Sequence, residues 1–209
     1  MRVLLVRHGE TPANVIQSLD TRAPGPALTA RGYRQALAVP HVLQGLPVDG
    51  IWASTLVRTV VTAAPLSADR QLTVHSLEGF REVRAGILEG RTDADSHAHY
   101  HDVLTRWLHG ELDAAVPEGE SGAEFLSRYD SALERVAESG VSTAVVVSHG
   151  SAIRHWAGLR VTGVSTPFAL THILANTGMV EIEGEPGSWT LVSWRDHAAD
   201  EGIGAETPA

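Results

Sequence analysis

The stretch that most constrains the fold is 3–11, close to the start of the chain. Four apolar residues, Val3 to Val6, have the length of a short buried strand and stop abruptly at Arg7-His8-Gly9. Thr11 and Pro12 follow, and this pair is typical of a helix start, with threonine as the N-cap and proline in the first turn. The pattern predicts a buried strand that passes through a tight turn directly into a helix.

This turn carries two side chains that suit an anion. Ligands of open α/β sheets bind beyond the carboxyl ends of the strands, where a helix N-terminus offers free N–H groups. Arg7 adds a planar positive charge that matches phosphate or carboxylate, and His8 adds a group that can act as a nucleophile near neutral pH. The first hypothesis is a phosphate site with a histidine nucleophile. The alternative is a structural histidine in a turn, which is the commoner case for a histidine taken alone.

Composition limits the classes of protein to which the chain can belong. The 209 residues are 43% hydrophobic and 20% charged, which is typical of one globular domain. The formal net charge of −9 argues against nucleic acid as a partner. Cysteine is absent, which excludes disulfides and thiolate metal sites. No apolar stretch reaches the roughly 18 residues of a membrane span, and no signal-peptide pattern opens the chain, so we expect a cytoplasmic protein without a membrane partner.

Strand-like and helix-like segments alternate along the chain. Further strands are predicted at 50–54, 72–75, 143–148, 179–183 and 189–194, and further helices at 56–68, 102–109, 121–139 and 151–160. A helix capped by Thr29 is expected to be kinked or interrupted at Pro40. Residues 77–90 are expected to be irregular, and the last dozen residues to be frayed.

This alternation predicts an α/β fold: a three-layer α/β/α sandwich with a mainly parallel central sheet. The run 143–148 lacks polar alternation, as strands buried on both faces of a parallel sheet do. We find no internal repeat and no long linker. The expected organisation is a single domain over residues 1–196, with a variable insertion at about 91–120 and a C-terminal tail at 197–209.

Three predicted strand ends carry the same kind of side chain. Arg7 and His8 follow the first strand, Arg58 lies shortly after the second, and His149 follows the strand at 143–148. If these strands are parallel neighbours, the side chains converge at one edge of the sheet and form an anion site, which is most of what phosphoryl transfer requires. A proton donor is still needed, and Glu82 is the first candidate, with its neighbours Glu78 and Glu89 as competitors.

Taken together, these motifs make the sequence resemble the histidine phosphatase superfamily, in the branch that includes cofactor-dependent phosphoglycerate mutases. The resemblance runs from residue 2 to about 155 and rests on several motifs in the right order and spacing. The matching motifs are Arg7–Thr11 with Asn14, Leu28-Thr29 with Gly32 and Gln35-Ala36, Ser54–Arg58 with Thr62-Ala63, Phe80–Glu82 with Gly86 and Glu89-Gly90, Gly119–Ser121, and Val147–Gly150.

The resemblance implies a role for each site residue. His8 would be the nucleophile that becomes a phosphohistidine, and Glu82 the acid that protonates the leaving group and then deprotonates the attacking water. The phosphoryl oxygens would be held by Arg7, Asn14, Arg58 and His149, with His149 protonated in the transition state. His8 must be neutral to attack, so its other nitrogen should donate to a fixed acceptor such as a backbone carbonyl. The implied reaction uses no cofactor and no metal.

Departures from the mutase pattern favour a phosphatase that acts on phosphate monoesters. Mutases of this family keep a tyrosine three residues after the catalytic glutamate, where this chain has Ala85, and a basic insertion that holds a second acidic group. Between Arg91 and Glu120 the chain has only Arg106 and no lysine. A cofactor-dependent phosphoglycerate mutase is the alternative. A catalytically silent module that binds a phosphorylated protein is a third hypothesis.

Some assignments stay open at this level. Arg154, one turn past Gly150, either supports the site or lies on a helix surface. His97, His99 and His101 alternate as metal ligands could, but unaccompanied histidines in a polar loop favour exposure to solvent. The partner implied by the resemblance is a phosphorylated small molecule. Sugar, glycerate and nucleotide-loop phosphates all fit, phosphoproteins also stay open, and a homodimer is an option because small members of the family often form dimers.

Overall fold

The computed structural model describes residues 1–201, in which helices cover both faces of one mixed sheet. The strands are β1 (Arg2–Arg7), β2 (Gly50–Ala53), β3 (Val74–Ser76), β4 (Thr143–Ser148), β5 (Val161–Thr162), β6 (Met179–Glu185) and β7 (Ser188–Arg195). The helices are α1 (Pro12–Val15), α2 (Ala30–Val42), α3 (Val57–Arg70), α4 (Ala94–Leu108), α5 (Gly122–Glu138), α6 (Gly150–Arg160) and α7 (Thr166–Thr171). Two 3₁₀ turns, Glu78–Phe80 and Gly86–Leu88, lie in the segment predicted to be irregular.

The strand order is β3-β2-β4-β1-β6-β7-β5. β4 pairs in parallel with β1 on one side and with β2 on the other, and β3 pairs in parallel with β2. β6 is antiparallel to both β1 and β7, so the late hairpin extends a sheet whose other half is parallel. The predicted fold class, α/β with a mainly parallel sheet, is confirmed.

Two apolar cores lie on opposite faces of the sheet because strand side chains alternate between the faces. Val3, Leu5 and Val146 face one core together with buried residues of α4, α5 and α6. Leu4, Val6, Ala53, Val145 and Val147 face the other core, which α2 and α3 complete. All six residues of β4 are buried, as its unbroken apolar sequence predicts. The sheet and the helices on each of its two faces therefore form three layers.

Two helices begin at the capping residues that the sequence predicts. Thr11 caps α1 and forms a capping box with Asn14, and Ser121 does the same with Glu124 at the start of α5. α2 runs through Pro40 to Val42, so the predicted interruption is wrong. The proline lies in the last turn, where only one intrahelical hydrogen bond is lost.

Other differences concern elements that the sequence analysis misplaced or missed. α4 begins at Ala94, with Asp93 as its cap, and not at 102, so the three histidines at 97, 99 and 101 are helical rather than in a loop. The short α7 and β5 were not predicted. Ala198 and Ala199 are buried, so a frayed end is wrong for 198–201, while 202–209 lie outside the described residues. The domain boundaries at 1–196 and 197–209 stay a prediction.

None of the helices within residues 1–201 combines the length and the apolar character needed to cross a lipid bilayer.

Candidate active site

The carboxyl ends of β1, β4 and β2 lie side by side, because these three strands are parallel neighbours in the sheet. His8 directly follows β1, His149 directly follows β4, and Arg58 lies in the first turn of the helix after β2. The rings of His8 and His149 meet edge to face with their centroids 5.2 Å apart. Arg58 Nε lies 3.3 Å from Nδ1 of His149. The sheet therefore brings together the side chains that the sequence predicts at this edge.

His8 is buried, and its ring is fixed in one orientation. Nδ1 lies 2.7 Å from the carbonyl oxygen of Gly9, and since a carbonyl can only accept, Nδ1 carries the hydrogen. Nε2 then has a free lone pair. Burial first, and then the charges of Arg58 and Arg7, hold the pKa of His8 well below its usual value. The imidazole is therefore neutral near neutral pH, which is the state a nucleophile needs.

Close backbone packing fixes the turn that carries His8. The Gly9 N–H donates to Thr62 Oγ1 at 2.9 Å. A Cβ atom on Gly9 would lie 2.7 Å from the carbonyl oxygen of Gly32, which is closer than real contacts allow. Glycine at both positions lets the start of α2 approach this turn directly. This approach explains why the motif needs glycine after the histidine.

Each of the two arginines is held by a hydrogen bond to a backbone carbonyl. Arg7 Nη1 donates to the carbonyl oxygen of Leu174 at 2.6 Å, and Arg58 Nη2 donates to the carbonyl oxygen of Asp20 at 2.8 Å. Within residues 1–201, Arg7 Nε and Arg58 Nη1 are buried and have no hydrogen-bond partner. Burial lowers the pKa of both guanidinium groups, which still remain charged at neutral pH. Buried charges are costly unless they are paired, and an anion beside these guanidinium groups would offset that cost.

His149 is completely buried and contacts the site through its neighbours. Ser54 Oγ lies 2.7 Å from Nε2, while Nδ1 accepts the hydrogen bond from Arg58. Burial, followed by the charge of Arg58, holds the pKa of His149 well below its usual value, so this ring is also neutral in the free protein. Its side chain lies beside His8 and does not line the cavity that His8 borders. Ser54 belongs to the motif Ser54–Arg58, but the sequence analysis gave it no role.

Asn14 lies on the wall of the site with its amide oriented by two donors. Its Oδ1 accepts from the Thr11 N–H and from Asn176 Nδ2, both at 3.1 Å. The Asn14 NH₂ group is therefore the part left for a ligand. Asn176 also donates to the carbonyl oxygen of His8, and the sequence analysis did not identify it.

Glu82 reaches the same site from the loop after β3. Its carboxylate accepts hydrogen bonds from the N–H groups of Val83 at 2.9 Å, Ala152 at 2.8 Å and Ser151 at 3.2 Å. The last two belong to the first turn of α6, whose dipole favours a negative group. Glu82 is thus fixed at the N-terminus of α6, directly after His149.

The competing glutamates lie elsewhere. The Glu78 side chain is 76% exposed and pairs with Arg81, and Glu89 accepts the N–H groups of Thr21 and Arg22. A second carboxylate at the site is Asp20, which no motif indicated. Its Oδ1 lies 3.7 Å from Arg58 Nη1, and burial raises its pKa.

A cavity of about 170 Å³, the inner pocket, joins these side chains. It continues into a wider cavity of about 730 Å³, the outer chamber. Residues that line the inner pocket include Arg7, His8, Asn14, Asp20, Arg58, Glu82, Tyr100 and Ser151. Residues that line only the outer chamber include Glu10, Gln17, Thr92, Ile173 and Asn176.

The histidines of α4 differ from one another. His99 and His101 are exposed, as predicted, whereas His97 is half-buried and its Nε2 lies 2.7 Å from the carbonyl oxygen of Gln17. His97 and His101 line both cavities. In the described part of the chain, no three His, Asp or Glu side chains are grouped as metal ligands. Arg154 is 6% exposed, which excludes a position on the helix surface, and its charge acts on Arg7 and His101.

The model of the histidine phosphatase superfamily (branch 1) matches residues 3–197. The chain therefore belongs to this family, and the resemblance drawn from its motifs is confirmed.

Individual relatives carry both phosphatase and mutase names. PE-PGRS family protein PE_PGRS11 of Mycobacterium tuberculosis is 33% identical over 90% of this chain, which spans only 35% of that relative. Probable phosphoglycerate mutase GpmB of Shigella boydii is 30% identical, over 100% of this chain and 97% of that protein. The solved structure of a putative alpha-ribazole-5'-P phosphatase from Escherichia coli superposes with a TM-score of 0.75 at 27% identity, covering 95% of this chain and 97% of that one.

Proposed function

We propose that the protein is a phosphomonoesterase that transfers the phosphoryl group of its substrate to His8 and then to water. One observation carries the proposal: a neutral buried imidazole with a free Nε2 lines the same small cavity as two buried arginines. An anion in this inner pocket would meet the charge of both arginines and present its phosphorus to the imidazole. Family membership supports the same chemistry.

In the first step, Nε2 of His8 attacks phosphorus while the bond from phosphorus to the ester oxygen breaks. Arg7 and Arg58 offset the charge on the phosphoryl oxygens, and the Asn14 amide adds a neutral donor. Glu82, in its acid form, donates a proton to the departing oxygen, so the leaving group departs as an alcohol. The products of this step are phosphohistidine, the alcohol and the Glu82 carboxylate.

In the second step, the Glu82 carboxylate takes a proton from a water molecule whose oxygen attacks the phosphohistidine. The P–N bond breaks, inorganic phosphate forms, and His8 and Glu82 return to their starting states. His149 is neutral in the free protein because of burial and Arg58. A dianionic phosphoryl group in the adjoining inner pocket acts against both effects, so we expect the bound anion to raise the pKa of His149 and favour its protonated form.

The proton donor has two candidates, and the geometry favours Glu82. Three backbone N–H groups hold the Glu82 carboxylate at the pocket wall, whereas Asp20 is paired with Arg58. If Glu82 donates the proton, Glu82→Gln lowers kcat strongly for phenyl phosphate and weakly for 2,4-dinitrophenyl phosphate, whose leaving group departs without a proton. Asp20→Asn should change both rates by the same factor. The opposite pattern would assign the proton to Asp20.

His8→Ala tests the whole proposal. We expect hydrolysis of p-nitrophenyl phosphate to fall at least 10⁴-fold, of the order seen when a nucleophile is removed. Wild-type enzyme quenched with alkaline detergent should contain an alkali-stable phosphoryl group that acid then removes, and the variant should lack it. His109→Ala, at an exposed position after α4, is the control and should keep wild-type activity. Retained turnover in His8→Ala would refute the proposal.

The mutase alternative has the names of several relatives in its favour, since six that are 30–35% identical are called probable phosphoglycerate mutase GpmB. The lining of the outer chamber speaks against it, because it includes Glu10 but no lysine, and its one arginine is Arg7, which already belongs to the inner pocket. A second phosphate would lack a counter-charge there. Interconversion of 2- and 3-phosphoglycerate that depends on 2,3-bisphosphoglycerate would establish the mutase. Turnover of any phosphomonoester would exclude the third hypothesis, a silent phosphoprotein-binding module.

We propose further that the substrates are small phosphorylated metabolites and that the enzyme works in the cytoplasm without nucleic acid or membrane partners. The net charge of −9 supports this, since a basic patch would be needed for nucleic acid. A screen of phosphorylated metabolites, run with and without chelator, tests the substrate class. Light scattering of the purified protein tests the predicted option of a homodimer.

A further inference from the structure

The loop that carries Glu82 has little regular structure of its own. After the 3₁₀ turn at Glu78–Phe80, residues 81–85 form neither helix nor strand. On the side away from the inner pocket, the loop borders a groove of about 450 Å³ whose lining includes Arg81, Glu82 and Arg84. Val83 and Ala85 anchor the other side of the loop in the apolar core. On the side that faces the groove, polar contacts hold the loop.

Arg128 of α5 provides most of these contacts. Its Nη1 donates to the carbonyl oxygens of Gly79 at 2.7 Å and Arg81 at 2.9 Å, and its Nη2 donates to the carbonyl oxygen of Glu82 at 3.1 Å. The remaining donors go to Glu120: Nε to Oε2 and Nη2 to Oε1, both at 2.7 Å. All five N–H groups of the guanidinium are thus used, which a lysine could not reproduce.

Glu120 completes the arrangement from the other end of the loop. Its side chain is 1% exposed, and besides the two bonds from Arg128 it accepts the N–H of Arg84 at 2.9 Å. The Arg128–Glu120 pair therefore binds backbone groups on both sides of Glu82. A buried ion pair of this kind is weak evidence for stability, because apolar residues of the same volume often serve as well. Its many bonds to one loop point to a positioning role instead.

Glu82 is consequently held from two directions. Arg128 of α5 binds its backbone carbonyl, and the first turn of α6 binds its carboxylate. Without Arg128 the carbonyl oxygens of Gly79, Arg81 and Glu82 lose their donor on the groove side, so we expect this part of the loop to shift and the Glu82 carboxylate to shift with it. Proton transfer is sensitive to such movement, since a misplacement of about 1 Å can cost on the order of 100-fold in rate.

We infer that Arg128 and Glu120 are positioning residues for proton transfer by Glu82, an inference that rests on the proposed function. They contact neither substrate nor phosphorus and act only through the backbone of the Glu82 loop. Phosphoryl transfer to a good leaving group should therefore be nearly independent of them. Transfer that needs a proton for the departing oxygen should depend on them strongly.

The test compares two esters on one enzyme preparation. Phenyl phosphate releases phenol, whose pKa is about 10 like that of tyrosine, and needs the proton. 2,4-Dinitrophenyl phosphate releases a stable anion and does not. For Arg128→Lys we expect kcat with phenyl phosphate to fall about 10- to 100-fold more than kcat with the dinitrophenyl ester. The ratio of the two rates does not depend on the fraction of folded enzyme, so a poorly folding variant still gives an answer.

Matched variants complete the design. Arg135→Lys changes an exposed arginine two turns further along the same helix and lining the same groove, and it should leave both rates unchanged. Glu120→Gln should reproduce the selective loss of Arg128→Lys. In a Glu82→Gln background, Arg128→Lys should cost less than about 2-fold with either ester, because variants that act through one group are not additive.

The possible outcomes distinguish the positioning role of Arg128 and Glu120 from the phosphatase function on which it rests. An equal loss for both esters in Arg128→Lys, with a selective loss in Glu82→Gln, would overturn the positioning role and leave the phosphatase proposal intact. If Glu82→Gln itself shows no selectivity, the acid role of Glu82 fails, and the positioning inference fails with it. Full activity of His8→Ala would refute the underlying function independently of both.

Discussion

The inner pocket and the outer chamber adjoin, yet they are built in opposite ways. The inner pocket takes Arg7 and His8 from the end of β1 and Arg58 from the helix that follows β2, and each is fixed by a backbone partner. The outer chamber is lined from α4 and from loops, and residues such as Ile173, 65% exposed, contact solvent. Sheet register fixes the first region, whereas nothing comparable fixes the second.

The difference indicates a division of labour. A phosphoryl group is the same in every monoester, so the region that binds it can be rigid and buried without restricting the substrate. The alcohol differs from substrate to substrate, and it must lie toward the outer chamber. Changes on the exposed face of α4 can therefore alter selectivity without disturbing the strands that hold His8.

The largest effect should come from the inner pocket. Arg58→Met removes one of the two charges that face the phosphoryl oxygens, and we expect kcat/KM to fall about 10³-fold. The factor should be the same for every substrate, because the group affected is common to all. Steady-state kinetics over a panel of phosphate esters measures it, with exposed Arg34→Met as the control. A fall in kcat/KM that varies strongly with the alcohol would contradict the separate roles proposed for the two regions.

A smaller effect, on the pH dependence of stability, should show whether water reaches the buried part of α6 around His155. His155 of α6 is buried, and burial lowers its pKa to about 3, against about 6.5 in an unfolded chain. Between these values the unfolded chain binds one more proton, so stability falls as pH is lowered below 6.5, by about 1.4 kcal/mol per pH unit.

His155→Gln removes that contribution. The decrease in the free energy of unfolding between pH 7 and pH 5, measured by urea denaturation, should shrink by about 2 kcal/mol relative to the wild type. His8 and His149, whose pKa values are also lowered, should account for part of the decrease that remains. An unchanged decrease would mean that His155 is hydrated and that the two regions differ less than proposed.

The smallest effect should come from the outer chamber. His97→Ala and His101→Ala each remove one hydrogen-bonding group near the alcohol, worth about 1 kcal/mol, so relative kcat/KM values among sugar and glycerate phosphates should shift about 3- to 10-fold. Phenyl phosphate should change little, and His99→Ala, on the exposed side of the helix, should change nothing. A uniform loss for all substrates would place these histidines with the phosphoryl group instead.

The sequence predicts the inner pocket well because its geometry follows from local rules. The run at 143–148, which is apolar from Ala144 to Val147, indicates a strand buried on both faces, and such strands are typical of parallel sheets, in which the ends of neighbouring strands meet. Arg7, His8 and His149 are within one residue of such ends, so their convergence requires only that the strands pair. The helix starts after Thr11 and Ser121 were equally local and equally predictable.

The parts that escaped prediction depend on contacts between distant segments. The start of α4 had a signal, with Asp93 as a cap and Tyr100, Val103, Leu104 and Trp107 at helical spacing, but the polar histidines between them obscured it. Asp20 and Asn176 had no signal in the sequence, because their roles come from loops that fold against Arg58 and His8. The link between Arg128 and the loop at 79–82 spans more than forty residues, and no periodicity announces it.

The two arginines of the inner pocket, Arg7 and Arg58, also affect the release of product. They bind inorganic phosphate as well as they bind a phosphate ester. Their contribution to substrate affinity is therefore also a contribution to product affinity. Only the alcohol, and with it the outer chamber, distinguishes the two. An enzyme that relied on the inner pocket alone would be inhibited by its own product, and escape of phosphate would govern its turnover. Selectivity and speed then become linked, since contacts to the alcohol are the only ones lost when the ester bond breaks.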